Sequence, residues 1–163
     1  THRVEHSVSE NSFEAIFSSH NIEHVFPHQV PIMLKEFLRV LKQDGYFVVT
    51  CPNLLPLARV IAGDKLTEPI YVSPIGPISP LDILYGHGES IKQGNEFMAH
   101  KTGFTPKSLK AVLLDAGFQN VGMLARDRLW DIWAIATKNK CADEEAMMSL
   151  MKQHLPLQPS AKT

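Results

Sequence analysis

The sequence predicts an α/β fold built on a parallel sheet, and three observations carry that reading. Residues Phe13–Asn53 run strand, polar loop, helix, tight turn, strand. Thr105–Gly117 is a capped helix with an apolar stripe. Val121–Ala125 and Leu129–Thr137 are two strands joined through Arg126-Asp127-Arg128, a connection short enough for a hairpin.

Each element has a local cause. Phe13–Phe17 is short and apolar, and Ser18, Ser19, His20 and Asn21 follow where a strand hands over to a loop. From Val30 the apolar positions Val30, Leu34, Phe37, Leu38 and Leu41 share one helical face, which predicts a helix over Val30–Leu41. Pro31 is tolerated in its first turn. Lys42-Gln43-Asp44-Gly45 is expected to stop it, with Gly45 in the left-handed conformation. Tyr46–Cys51 is the second strand, closed by Pro52 and Asn53. Connections this short imply a right-handed crossover between parallel strands. Ligands of such sheets lie outside the carboxyl ends of the strands. Those ends are Ser18–His24 and Cys51–Asn53.

Leu54–Gly63 is apolar enough for a short helix. Residues 64–104 are different: rich in Pro and Gly, yet also apolar and aromatic. Pro69, Pro74, Pro77 and Pro80 alternate with Ile70, Tyr71, Val72, Ile75 and Ile78. A disordered linker lacks such residues. A long ordered loop of this kind is usually a lid or binding loop. It also concentrates Asp82, Tyr85, His87, Glu89, Asn95, His100 and Lys101. Thr105 caps the next helix, Pro106 opens it, Leu109, Val112, Leu113 and Ala116 form its stripe, and Gly117 closes it. A lone buried carboxylate is costly, so Asp131 is expected at an edge or solvent-facing position. Ala142–His154 is helix-prone, and Leu155–Thr163 reads as a frayed tail.

The chain has 163 residues, of which 44% are hydrophobic and 20% charged, an ordinary globular balance. With 16 Lys plus Arg against 17 Asp plus Glu, the net charge is -1. No basic excess calls for nucleic acid or an anionic membrane surface. No apolar run approaches a membrane span, and the first twelve residues are too polar for a signal peptide. Cys51 and Cys141 have no paired spacing, which suits free thiols in a cytoplasmic protein. Metal sets were weighed on His2 with His6, and on His20, His24 and His28. Pro27 interrupts the second as a continuous helix, Glu23 is the one carboxylate nearby and a helix would point it elsewhere, and no metal site is expected. A serine hydrolase is disfavoured because no G-x-S-x-G elbow occurs.

The pattern S-H-N-I-E-H-V, then a helix ending F-L-R-V-L-K-Q-D-G, then a strand ending P-N resembles the middle of class I S-adenosylmethionine-dependent methyltransferases. It looks most like the methyltransferase type 11 group of bacterial small-molecule enzymes. Gly103-Phe104-Thr105 and the later D-A-G-F fit the same group. The resemblance implies a Rossmann-like sheet with an antiparallel final strand inserted in it and helices covering it. It implies S-adenosylmethionine as cofactor, with Ser18, Ser19, His20 and His24 beside it.

That family places a glycine-rich cofactor loop ahead of this segment. No G-x-G-x-x-G precedes Phe13, and three strand–helix units would need about 70–90 residues. The expectation is the carboxyl-terminal part of a methyltransferase domain over residues 1–140, with 64–104 as a lid or substrate insertion and 141–163 as a helical tail. An exposed sheet edge would then invite self-association. The expected partner is a small-molecule acceptor. Methyl transfer needs alignment and, for many acceptors, removal of a proton. Imidazoles near neutrality suit that task. His87 and His100 are the candidate catalytic residues, and Asn53, Asp82 and Tyr85 the candidate acceptor-binding ones. The alternative is a non-catalytic remnant or interaction domain of the same fold.

Overall fold

A computed structural model of the chain describes residues 8–141 and 143–156. His2 and His6, with residues 157–163 of the expected tail, lie outside the described residues. The elements in chain order are β1 (Phe13–Ser19), α1 (Val30–Val40), β2 (Leu41–Pro52), α2 (Leu54–Ala62), β3 (Tyr71–Ser73), β4 (Gly76–Ile78), α3 (Pro80–Tyr85), α4 (Gly88–Lys92), α5 (Pro106–Ala116), β5 (Asn120–Arg126), β6 (Asp131–Thr137) and α6 (Glu144–His154). Single 3-10 turns at Ile22–His24, Glu96–Met98 and Asp127–Leu129 complete the set.

The main sheet has the order β1-β2-β6-β5. β1 and β2 are parallel, as the crossover predicts, with Ser18 opposite Val49 and Ser19 opposite Thr50. β6 is antiparallel to both neighbours and sits between β2 and β5. The register aligns Pro52 with Asp131, and Asp131 with Arg126. The carboxyl ends of β1, β2 and β5 therefore meet the start of β6 at one edge of the sheet.

Alternation along β2 feeds two layers. Phe47, Val49 and Cys51 join Ile132, Ala134 and Ala136 of β6 under α1 and α5, with Leu34, Leu109, Leu113 and Phe118 closing that core. The Phe47 ring lies 5.2 Å from Phe37 and 5.9 Å from Phe118, a close aromatic cluster. Val48 and Ile135 face the other way, against Met147, Leu150 and Met151 of α6. Leu155 is buried in this second layer, so the start of the expected tail is packed rather than frayed. Each buried Leu, Ile or Phe contributes about 1.5–3 kcal/mol.

Helix limits follow the caps. Thr105 and Ser108 form a capping box, Pro106 opens α5, and Gly117 ends it in the left-handed conformation. The expected stop at Lys42–Gly45 differs. α1 ends at Val40, and the strand begins at once at Leu41. The register jumps from Phe13–Leu41 to Ala15–Tyr46, so the intervening residues bulge out of the ladder. Gly45 does not have a positive φ. Its role is steric: a Cβ there would stand 2.9 Å from the Lys42 carbonyl oxygen and 3.1 Å from that of Glu14. Backbone atoms cannot yield as a side-chain tip can. Gly45→Ala should therefore destabilise the fold by about 1–3 kcal/mol, read as a lower urea midpoint at unchanged slope.

Candidate active site

Residues 64–104 fold over the strand ends that β1, β2 and β6 bring together. They carry a small core of their own, where Ile78 and Ile83 pack with Leu57 of α2 and partly buried Leu54, Ile61, Ile70 and Trp130. The segment is thus a hairpin and two short helices anchored on α2. Ser79 and Asp82 form the capping box of α3. Gly86 turns the chain at φ +95, where a Cβ would collide with the Met98 carbonyl.

Between this insertion and the sheet lies a cavity of about 350 Å³, within the range of small-molecule sites. The insertion supplies Tyr71, Ile78, Asp82, His87, Met98 and His100 among its walls. The strand ends and the β5–β6 turn supply His20, Pro52, Arg128, Leu129, Trp130 and Asp131.

The imidazoles differ in what they offer. His87 Nδ1 accepts from the Ser90 amide at 3.3 Å and lies 2.7 Å from the Ser90 hydroxyl. A neutral His87 then carries its proton on Nε2 and is a donor. His100 Nδ1 lies 2.8 Å from the Ile83 carbonyl, which can only accept. Its Nδ1 is therefore protonated, and Nε2 holds a lone pair. Burial pushes the His100 pKa down, against the raising effect of that bond and of Glu23, so the neutral acceptor form is favoured. His20 Nδ1 donates to Glu23 Oε1 at 3.2 Å, and this carboxylate bond raises the His20 pKa. Glu23 is 1% exposed. His24 Nδ1 donates to the Ala99 carbonyl at 3.2 Å, and the His24 and His100 rings meet edge-on at 4.9 Å.

Two features of the site depart from the sequence reading or were not foreseen by it. Asp131 is buried at 7% exposure because β6 is an inner strand, which corrects the expected edge position. Its carboxylate is paired with the Arg126 guanidinium through both Nε and Nη2 and also accepts from Trp133 Nε1 at 3.2 Å. Two donors replace the solvent a lone carboxylate would need. Trp130 has φ 62, an uncommon conformation for a bulky residue. The Asn53 amide bonds its carbonyl at 2.8 Å and helps hold it there.

The expected site residues are thus distributed over several settings. His20, Asp82, His87 and His100 line the cavity. Burial alone would raise the Asp82 pKa. Bonds from the Ser79 hydroxyl and amide and from the Gly88 amide outweigh it and hold the carboxyl below its usual range. Ser18 is buried and Ser19 exposed at the end of β1. Asn53 is fully buried below the cavity, where its side chain accepts from the Leu55 amide and donates to Asp127. Tyr85 points its ring to solvent, and its carbonyl receives the His100 amide at 3.1 Å. Glu23 stands inside the S-H-N-I-E-H-V motif and is the one carboxylate beside the His20, His24 and His28 spacing in the sequence.

A family model described as a methyltransferase domain matches residues 2–49, the stretch that includes β1, α1 and most of β2. A S-adenosylmethionine-dependent methyltransferase from Archaeoglobus fulgidus is similar in structure, with a TM-score of 0.50 and 17% identity over 80% of this chain and 61% of that one. The fold of the chain is similar to that of S-adenosylmethionine-dependent methyltransferases. A S-adenosylmethionine-dependent methyltransferase from Thermotoga maritima gives a TM-score of 0.50 at 16% identity, over 82% of this chain and 59% of that one. The C-methyltransferase domain of the citrinin polyketide synthase gives 0.50 at 12% identity, over 82% of this chain and 29% of that one. No curated protein sequence matches the chain. The chain spans 61% and 59% of the first two solved structures, and the likeness at these identities is one of fold. The inserted antiparallel β6 is the feature of the methyltransferase fold that the resemblance implied.

The Arg126–Asp131 pair stands where this fold opens its cavity. Arg126→Met would leave the Asp131 carboxylate buried with Trp133 as its remaining donor. A loss of about 3 kcal/mol is expected in urea unfolding. The double change Arg126→Met with Asp131→Leu should lose clearly less, because no unpaired charge is left behind.

Proposed function

We propose that this chain forms the acceptor-binding part of a S-adenosylmethionine-dependent methyltransferase that acts on a small molecule. The observation that carries the reading is the cavity itself, set between the strand ends of a methyltransferase fold and a folded insertion rich in polar groups. Its size suits a small acceptor rather than a polymer. None of the described helices is long and apolar enough to cross a membrane. Cys51 and Cys141 are free, which fits the reducing cytoplasm.

The reaction requires one bond exchange. Bound S-adenosylmethionine would supply an activated methyl group, which a nucleophilic atom of the acceptor would take as the carbon–sulfur bond breaks and the sulfur keeps the electron pair. The acceptor then sheds a proton. Ser18, Ser19, His20 and His24, at the end of β1 and in the loop after it, are assigned to the cofactor side. Asp82 and His87 hold the acceptor from the insertion, His87 as donor through Nε2. His100, neutral and with its lone pair on Nε2, receives the proton. Asn53 and Tyr85 support this wall through the α2 cap and the Tyr85 carbonyl.

The test uses the complete encoded protein. Calorimetry should show S-adenosylmethionine binding, and turnover should release S-adenosylhomocysteine when a methylatable small molecule is supplied. His87→Ala and His100→Ala should each lower turnover by about 10²-fold or more while cofactor affinity stays within a few-fold. Absence of cofactor binding would overturn the reading, and unchanged turnover in both variants would remove these residues from it.

The partner side of the proposal includes self-association. β1 is an outer strand of the described sheet, and Phe17 on it is 62% exposed. Apolar recesses flank it, one with Val8, Phe13 and Phe37 and one with Phe17, Tyr46 and Trp133. The isolated 163-residue chain should therefore run above its monomer mass in light scattering. A strictly monomeric species would argue that the edge is protected.

A further inference from the structure

We propose that Glu23, His24 and His100 form a binding site for a divalent transition-metal ion of the zinc class, at the junction of the strand ends and the insertion. This goes beyond methyl transfer and does not rest on it.

Four observations converge. One ligand atom from each of the three residues lies within 4.8 Å of the others. The edge of a zinc tetrahedron with nitrogen and oxygen ligands is about 3.4 Å, so small side-chain rotations suffice to close the set. Both imidazoles already give their Nδ1 proton to a backbone carbonyl, His24 to Ala99 and His100 to Ile83. That bond fixes the tautomer and leaves the lone pair on Nε2, the arrangement in which metal-binding histidines are usually held. Glu23 is 1% exposed, and its Oε2 has no hydrogen-bond partner among the described residues. Its other oxygen is held by His20, which positions the carboxylate. An ion is the partner that such a buried, directed oxygen lacks.

The frame around the ligands is firm. The Glu23 carbonyl accepts from the Lys101 amide at 2.8 Å and the Thr102 amide at 3.1 Å. The loop after β1 and the end of the segment 64–104 are thus tied together beside the three side chains. Two imidazoles and one carboxylate favour zinc and its neighbours over magnesium or calcium, which prefer oxygen. Three protein ligands also leave a coordination position for water or another ligand. His100 belongs to both the cluster and the cavity wall. An ion held here would occupy the His100 Nε2 lone pair, so the metal-bound form has no free base at His100, and it would pin residues 64–104 to the strand ends. The set weighed from spacing was His20, His24 and His28. His28 instead stacks on Phe26 at 5.8 Å, and the fold supplies His100 in its place.

The test is direct metal binding by the complete encoded protein, freed of any affinity tag. Titration with Zn²⁺ should saturate at one ion per chain and persist in excess Mg²⁺. Co²⁺ should give visible absorption bands of a low-coordinate N/O site. His24→Ala, His100→Ala and Glu23→Gln should each weaken Zn²⁺ binding at least about tenfold. His87→Ala, which touches none of the ligands, should bind as the parent does. Zn²⁺ should also raise the thermal midpoint of the parent and not that of His24→Ala. His24→Gln, closer in shape, replaces His24→Ala if the latter does not fold. The proposal is overturned if the parent takes up no Zn²⁺ at tenfold excess. It is also overturned if the ligand variants bind as the parent does, or if His87→Ala loses the ion equally. None of these readouts involves turnover, so a failed metal site and a failed methyltransferase reading remain distinguishable.

Discussion

The architecture of the cavity depends on one buried amide. Asn53 follows the last residue of β2, fully out of solvent, and its side chain and backbone amide are all bonded. Its side-chain oxygen caps α2, its side-chain nitrogen bonds Asp127, and its backbone amide bonds the Trp130 carbonyl. It also bridges to Phe104, next to the start of α5. A single residue therefore sets where the central strand stops, where the next helix starts, and how the β5–β6 turn lies above them. A buried amide is worth little if one bond is lost and a good deal when all are made. That asymmetry makes the strand end a rigid platform.

The insertion builds its half of the cavity by a different device. It contains no long element, and its order comes from short-range bonds: the Ser79–Asp82 box, the His87–Ser90 pair and the turn at Gly86. Its buried Ile78 and Ile83 lean on α2 rather than on the sheet. The cavity thus lies between one wall fixed by strand register and another fixed by local capping. Polar side chains that line it are held mainly by their own neighbours, so their protonation states are set locally. This is why His87 and His100 present the same ring nitrogen to the same space, Nε2, protonated in a neutral His87 and unprotonated in His100.

Elements with a periodic or capping signal were legible in the sequence. The stripe from Val30, the Thr105-Pro106 start and Gly117 end of α5, and the β1–α1–β2 crossover all match the structure. The Lys42–Gly45 segment did not, because glycine reads alike in a left-handed cap and in a crowded bulge. Asp131 did not, because its partner Arg126 lies on a neighbouring strand and only the sheet order shows that β6 is internal. The Glu23–His24–His100 cluster was illegible for the same reason. Spacing along one helix pointed to His20, His24 and His28, whereas the chain makes only a 3-10 turn at Ile22–His24. His100 comes from the far end of the insertion, and no local period connects it to His24.

The position of β6 has a consequence for the order in which the molecule is assembled. β2 pairs on one side with β1, close in sequence, and on the other with β6, which faces Cys51 through Ile132. During synthesis β2 therefore leaves the ribosome with one edge open until nearly the whole chain has emerged. The insertion is made in the meantime, before half of the platform it covers exists. Its small apolar core can form early against α2, but the Trp130 and Asp131 wall arrives later. The cavity is consequently a late product of folding, closed from the carboxyl-terminal side. A chain stopped short of Asp131 would keep α1 to α5 and residues 64–104 and still have nothing for them to enclose.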